Sequence, residues 1–132
     1  MSDVITAPTI LVIDDEPEIL SLIGQTFESR GFKPELVQSP GIALNAIRKR
    51  RFDVIVTDLR MELVDGLAIV REARRSPENR RSSVVVISGS VDRSMVLQLR
   101  PLGVQGIFVK PFSFELLVDK ALALAGVILP AA

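Results

Sequence analysis

Runs of apolar, largely β-branched residues recur along the chain, and each run ends on a polar or charged side chain. The four clearest runs occupy residues 9–13, 52–58, 83–88 and 106–110. Unbroken runs of this kind are typical of strands that are buried on both faces of a parallel sheet. A weaker run at residues 32–37 contains proline, which cannot donate to a central ladder, so this run predicts a strand at the edge of the sheet.

Segments with apolar residues at helical spacing separate these runs, so strands and helices are predicted to alternate five times. The first helix is expected to begin at Pro17 and to stop before Gly31, and the second to begin after Ser39. Pro101 should end the fourth helix early, and Ser113 can cap the fifth. The alternation predicts an α/β fold in which a five-stranded parallel sheet is flanked by five helices on its two faces.

Composition restricts the function more than the fold. The 132-residue chain carries 16 basic and 16 acidic residues, so no overall charge favours nucleic acid or a membrane surface. It has no cysteine and no histidine, which excludes disulfides, Ser-His and Cys-His catalytic pairs and a phosphohistidine on this chain. No apolar run approaches the length of a membrane span, and residues 1–8 lack the regions of a signal peptide.

Arginine is common in and after the second and third predicted helices. These side chains are expected to lie on solvated helix and loop faces rather than to bind nucleic acid. The set comprises Arg48, Arg50, Arg51, Arg71, Arg74, Arg75, Arg80 and Arg81.

The polar ends of the four runs supply the candidate chemistry. Asp14 and Asp15 follow the first run, Asp58 ends the second, Ser88 the third and Lys110 the fourth. In an open parallel sheet these strand ends lie along one edge, where such folds bind ligands. Converging carboxylates repel one another, and a divalent cation such as Mg²⁺ would offset their charge. Asp14 and Asp15 alone could instead cap a helix, but the matching positions of Asp58 and Lys110 favour a ligand site.

Five short motifs resemble those of the receiver domain of two-component response regulators, such as the chemotaxis receiver, over about residues 8–125. They are Val12-Ile13-Asp14-Asp15-Glu16-Pro17, Val56-Thr57-Asp58-Leu59, Asp65-Gly66, Ile87-Ser88-Gly89 and Val109-Lys110-Pro111-Phe112. The resemblance implies a flavodoxin-like fold of three layers with strand order 2-1-3-4-5. It also implies a receiver domain at residues 9–125, between an N-terminal tail at 1–8 and a C-terminal tail at 126–132.

The same resemblance implies a role for each residue at the strand ends. Asp58 is the expected phosphoacceptor. Mg²⁺ is expected to be bound directly by Asp15, Asp58 and the backbone carbonyl of Arg60, while Asp14 acts through water. Arg60 is a long cation two residues beyond the acceptor, where it could reach over the phosphoryl group.

Ser88 and Lys110 are expected to contact the phosphoryl oxygens, and the chain departs from the family near them. Ile107 holds the switch position, where receivers commonly carry tyrosine or phenylalanine. Phe108 has the opposite strand parity and is expected to face the core. Glu62 stands where the family usually has proline. The phosphorylation chemistry is therefore expected to be intact, without the usual aromatic readout.

The expected function is that of a phosphoacceptor in two-component signal transduction, which is a signalling role and not that of an enzyme. A histidine kinase or phosphotransfer protein would donate to Asp58, and a downstream protein would bind the face formed by the fourth helix, the fifth strand and the fifth helix. Activation should rearrange residues 88–103 with little rotamer change at Ile107. The chain is expected to be cytoplasmic, either as a stand-alone receiver or as an excised domain, with no direct nucleic-acid or membrane partner.

Two other functions stay open on the sequence. A receiver-like module could bind proteins without phosphorylation, and phosphoryl transfer to Asp58 would discriminate between the two. A Mg²⁺-dependent phosphatase with an aspartyl nucleophile would need a substrate pocket and usually a cap insertion, but the loops here are short. A dinucleotide-binding domain is disfavoured because no Gly-x-Gly-x-x-Gly follows the first run.

Overall fold

A computed structural model describes residues 7–61 and 65–128 of the chain. The departure at Glu62 therefore lies outside the described residues. Within these ranges the strands are β1 (Ile10–Ile13), β2 (Glu35–Val37), β3 (Val54–Asp58), β4 (Ser83–Ser88) and β5 (Gly106–Val109). The helices are α1 (Pro17–Ser29), α2 (Pro40–Lys49), α3 (Gly66–Arg75), α4 (Arg93–Leu99) and α5 (Phe114–Leu124), and a short 3₁₀-helix (Arg100–Leu102) follows α4.

The strands form one parallel sheet in the order β2-β1-β3-β4-β5. This confirms the predicted α/β architecture and its strand order. The edge position predicted for β2 is also confirmed. However, β2 begins at Glu35 and is shorter than the predicted run at residues 32–37, because Pro34 has no N–H with which to continue the ladder.

The sheet is buried on both faces, which explains why its central strands are apolar without interruption. Successive strand side chains point to opposite faces, so Leu11 and Ile55 belong to one core cluster and Val12 and Val56 to the other. Helices α2, α3 and α4 contribute to the first cluster, and α1 and α5 contribute to the second. The molecule therefore has the three layers expected of this fold.

Several helix boundaries form as the sequence predicts. Pro17 lies in the first turn of α1, and the Oγ atoms of Ser39 and Ser113 accept N–H groups in the first turns of α2 and α5. Gly31, just after α1, has a φ of 84°, a value that glycine adopts without steric cost. Helix α4 ends two residues before Pro101, and the chain tightens there into the 3₁₀-helix.

The prediction that Arg74 lies on a solvated face is wrong. Its guanidinium donates through Nε to the Leu102 carbonyl at 2.6 Å and through Nη1 to the Ser82 carbonyl at 2.7 Å. Burial without a carboxylate partner among these contacts lowers the pKa of Arg74 from its ordinary value. The side chain thus ties the end of the 3₁₀-helix to the segment between α3 and β4.

Most of the other arginines keep an exposed side chain, and some of them pair with acids. Arg48 and Arg75 both contact the buried Glu72 carboxylate, although their own side chains are largely exposed. Hydrogen bonds from Arg48 and Arg75 lower the pKa of Glu72.

Within the described part of the chain, no helix has both the length and the apolar character needed to cross a membrane.

Candidate functional site

The parallel sheet brings the predicted polar groups to one edge. Asp14 directly follows β1, Asp58 ends β3, Ser88 ends β4 and Lys110 directly follows β5. The Lys110 ammonium crosses from β5 toward β3, and its Nζ lies 3.0 Å from Oδ2 of Asp58. Asp58 and Lys110, which the sequence places only at the ends of two strands, are therefore in direct contact in the structure.

Asp58 is a buried carboxylate in a cationic and polar setting. Its side chain is only 1% exposed. Oδ2 accepts from Lys110, and Oδ1 accepts the backbone N–H of Arg60 at 3.1 Å. Burial of the ammonium lowers the pKa of Lys110, but hydrogen bonds to Asp58 and Glu16 outweigh it, and the net pKa is raised. Lys110 is thus held as a fixed positive charge against Asp58.

Asp14 is the most strongly perturbed acid at this edge. It is fully buried, and its Oδ1 accepts the backbone N–H of Glu16 at 2.9 Å. Burial raises the pKa of Asp14 from 3.8 to about 7; the Glu16 N–H opposes this shift, and the negative charge of Asp58 adds to it. Among the described residues, Oδ2 of Asp14 has no hydrogen-bond partner. An orphaned buried carboxylate oxygen is costly unless something else binds it.

Three carboxylates of the described residues are placed to share a cation. One oxygen each from Asp14, Glu16 and Asp58 lie within 4.8 Å of one another. Glu16 is not among the site residues that the strand-end pattern predicts. Asp15 is half-buried and is not a member of this group of three carboxylates. The role assigned to Asp15 therefore stays a prediction.

One signal in the sequence could have pointed to Glu16. It directly precedes Pro17 at the N-cap of α1, where the short side chains of serine, threonine, aspartate and asparagine are preferred. Glutamate is too long to be a good cap, which leaves its carboxylate available for another role. Only the fold, which brings the end of β5 beside the start of α1, shows what that role involves.

Ser88 lies close to the site but its hydroxyl is engaged elsewhere. It is buried, donates to the Ser90 carbonyl and accepts the Ser90 N–H at 3.3 Å. The predicted switch residue Ile107 is 37% exposed on β5, whereas Phe108 packs against the core, as its strand parity predicts. The structure thus places Ser88 and Ile107 on neighbouring strands, with the serine held by its own loop.

The donor set suits a hard divalent cation. Every candidate ligand atom is an oxygen, which is the type that Mg²⁺ and Ca²⁺ prefer. A cation at this cluster would also give the orphaned Oδ2 of Asp14 a neighbouring positive charge and offset repulsion between Asp14 and Asp58. These residues therefore fit the metal that the strand-end pattern predicts.

Comparison with known proteins gives a family match over most of the chain. Residues 10–122 match the family model described as "Response regulator receiver domain". The chain is 28% identical over 112 residues to the chemotaxis protein CheY-3 of Vibrio cholerae serotype O1, covering 84% of this chain and 86% of that protein.

Solved structures give the same fold. Chemotaxis protein CheY4 of Vibrio cholerae superposes with a TM-score of 0.82 at 24% identity, covering 90% of this chain and 99% of that one. The receiver domain of a sensor histidine kinase from Pseudomonas aeruginosa PAO1 superposes with a TM-score of 0.80 at 23% identity, covering 92% and 100%. That domain was solved with a magnesium ion coordinated in its active site cleft.

Proposed function

The chain belongs to the response regulator receiver domain family, and from this premise we propose that Asp58 accepts a phosphoryl group from the phosphohistidine of a kinase or phosphotransfer protein. The observation that carries the proposal is the 3.0 Å contact between the buried Asp58 carboxylate and the Lys110 ammonium at the ligand edge of the sheet. A buried acid that is paired with a fixed cation can act as a nucleophile while the cation stabilises the charge of the incoming group.

The proposed transfer forms a bond between a carboxylate oxygen of Asp58 and phosphorus. The bond between phosphorus and the donor's imidazole nitrogen breaks, and its electron pair stays on that nitrogen. Lys110 follows the negative charge from the carboxylate to the phosphoryl oxygens, and Ser88 donates a hydrogen bond to one of them after leaving the Ser90 carbonyl. Hydrolysis of the acyl phosphate later restores Asp58.

We assign the cation of this site as Mg²⁺, held by Asp14, Asp15, Asp58 and the backbone carbonyl of Arg60. When bound, it would neutralise the carboxylates and the phosphoryl oxygens during transfer. The all-oxygen donor set, the orphaned oxygen of Asp14 and the magnesium ion in the Pseudomonas receiver domain support this assignment.

We further propose that the output of the switch is protein contact through the face formed by α4, β5 and α5. Several large apolar side chains are exposed on these elements: Leu97, Ile107, Val109 and Leu116. A group of exposed apolar side chains on neighbouring elements is typical of a protein-binding surface. In this role the chain is a signalling domain that promotes only its own phosphorylation and dephosphorylation. It would work in the cytoplasm, where a kinase has ATP.

Intact mass measurement tests the proposal directly. Incubated with acetyl phosphate and Mg²⁺, the wild type should gain a single phosphoryl group, and Asp58→Asn should gain none. Asp119→Asn is the matched control, since Asp119 is a surface acid of α5 that pairs with Arg30 away from the site. An unlabelled but folded wild type would favour the module that binds without phosphorylation. Equal labelling of Asp58→Asn would show that another residue is the acceptor.

A further inference from the structure

Glu16 is at the N-cap of α1, where a side chain ordinarily accepts an N–H of the first turn, but its carboxylate does not cap the helix. It is the N-cap residue, its backbone carbonyl accepts the Leu20 N–H at 3.1 Å, and its φ and ψ are extended. Within the described chain its carboxylate makes no capping hydrogen bond. The helix is instead started by Pro17, which lacks one of the N–H groups that a cap would satisfy.

The Glu16 carboxylate points toward the strand ends. Its Oε1 lies 3.1 Å from Nζ of Lys110, which is simultaneously 3.0 Å from Oδ2 of Asp58. The ammonium is therefore shared between a buried acid, Asp58, and an acid whose side chain is 58% exposed. Since a surface ion pair is weak while a partly buried cation holds its buried partner firmly, Glu16 is the partner that can leave.

The same carboxylate also faces the two buried acids. One oxygen of Glu16 is within 4.8 Å of an oxygen of Asp14 and an oxygen of Asp58. A second, independent observation points to a ligand here: Asp14 is fully buried, and its Oδ2 has no hydrogen-bond partner in the described residues. Lys110 does not satisfy that oxygen, because the ammonium donates to Asp58 and Glu16.

We propose that the Glu16 carboxylate exchanges between two partners, binding Lys110 in the cation-free protein and the divalent cation when it is present. The exchange follows from charge. A dication among the three oxygens repels the nearby ammonium and attracts the exposed carboxylate, so Glu16 moves toward the cation and loses its contact with Lys110. Lys110 then keeps a single carboxylate partner, Asp58, and is free to follow the phosphoryl group.

The exchange rests on the proposed function and predicts how the cation enters the site beside Asp58. Glu16 adds a carboxylate ligand that neither the strand-end pattern nor the resemblance assigns, and it couples cation binding to the release of Lys110. In the absence of a cation, the same residue holds the ammonium over Asp58 and favours the resting state.

Cation binding without any phosphodonor provides the test. The rise in melting temperature with Mg²⁺ concentration should give an apparent affinity about tenfold weaker for Glu16→Gln than for the wild type. Glu18→Gln is the matched control, because Glu18 lies in the first turn of the same helix and its loss changes the net charge equally. It should bind Mg²⁺ as the wild type does. The NMR signals of the Lys110 ε-methylene should shift on Mg²⁺ addition in wild type and much less in Glu16→Gln.

The outcomes distinguish a failure of the exchange from a failure of the cation site on which it rests. If wild type and Glu16→Gln bind Mg²⁺ equally, or if Glu18→Gln is weakened as much as Glu16→Gln, the exchange is wrong while the phosphoacceptor site stands. If Mg²⁺ does not stabilise the wild type at all, both the cation site and the exchange are overturned. If the Lys110 signal shifts equally in wild type and Glu16→Gln, Mg²⁺ does not separate the ammonium from Glu16, and the exchange is contradicted.

Discussion

The buried Asp14 carboxyl should make the stability of the cation-free protein depend on pH. Its folded-state pKa of about 7 lies above the ordinary value of 3.8, so the folded protein binds this proton more tightly than the unfolded chain. The stabilisation is complete below about pH 4 and is lost as pH rises to about 7, by at most roughly 1.4 kcal/mol per pH unit. Asp14→Asn cannot ionise, so it should flatten this dependence and be more stable than the wild type above pH 7.

Urea unfolding in the presence of a chelator, from pH 4 to pH 8, measures both effects. The informative comparison is with Asp119→Asn, which removes an acid from a surface ion pair and should keep the wild-type dependence. A slope that survives in Asp14→Asn would assign the pH dependence to another group. Asparagine retains an oxygen for the Glu16 N–H, so the variant should fold.

Single polar residues are the part of this structure that sequence patterns predict least. Asn79 is fully buried and satisfies its side chain with the backbone of Ile47, Arg50 and Phe52 and the hydroxyl of Ser82. Nothing in its immediate neighbours marks it as more than a loop residue. Arg74, Asn79 and Glu16 all have partners distant in sequence, and periodicity carries no information about such contacts.

At the scale of elements, the sequence is far more informative. Buried strands can be recognised from the sequence because both of their faces must be apolar. Helix starts can be recognised because proline lacks an N–H that would stay unpaired in the first turn, and serine accepts one of the others. The strand-end acids, Ser88 and Lys110 could be placed at one edge for the same reason, since parallel strands share a direction. The predicted run at residues 32–37 is longer than β2, because periodicity does not show that Pro34 interrupts the ladder to its one neighbour, β1.

The backbone where α3 begins leaves no room for a side chain at residue 66. A Cβ built at Gly66 would lie 2.1 Å from the backbone oxygen of Asp58 and 2.6 Å from Cα of Leu59, and backbone atoms cannot turn aside. Gly66→Ala should therefore destabilise the protein by about 3 kcal/mol, or roughly 10 °C in melting temperature, and should displace the end of β3. Phosphorylation of Asp58 should slow in parallel.

Gly41 supplies the matched control for this effect, since it also lies in the first turn of a helix. The nearest atom to a Cβ at Gly41 is Oγ of Ser39 at 3.8 Å, an ordinary contact. Gly41→Ala should stay within about 1 kcal/mol of the wild type, because alanine favours the helix. Thermal melts and acetyl phosphate labelling of both variants decide the matter. Equal melting temperatures for the two variants would mean that the start of α3 can shift away from Asp58.

At the scale of the whole molecule, two contacts indicate which part of the proposed binding face of α4, β5 and α5 can move. Helix α4 buries a single side chain, Leu99, at its C-terminal end. Beyond it, the Arg74 guanidinium holds the carbonyls of Leu102 and Gly103 at 2.6 and 3.4 Å. The start of α4, where Met95 is only partly buried against the core, is therefore less firmly packed than the chain that follows the helix, which Arg74 anchors to the segment between α3 and β4.

The hydrogen bonds from Arg74 to Leu102 and Gly103 should limit how far along the chain phosphorylation causes a rearrangement. When Ser88 turns from the Ser90 carbonyl to the phosphoryl group, the loop at residues 89–92 loses a hydrogen bond and the start of α4 can follow it. Ile107 is β-branched and stiff at its first torsion, has no hydroxyl, and is already partly exposed, so it has little reason to change rotamer. The movement should end where Arg74 binds the backbone.

NMR spectra with and without beryllofluoride and Mg²⁺ should therefore show backbone shifts concentrated at residues 88–99. Shifts at residues 102–105 should be small, and the Ile107 methyl groups should keep their rotamer populations. Asp58→Asn, which lacks the acceptor, should show none of these changes. A large rotamer change at Ile107 would mean that an aliphatic residue performs the switch after all. If Ser88 leaves Ser90, the loop that now holds the serine hydroxyl must be disturbed. Shifts confined to the immediate surroundings of Asp58 would therefore mean that phosphorylation moves neither this loop nor Ile107.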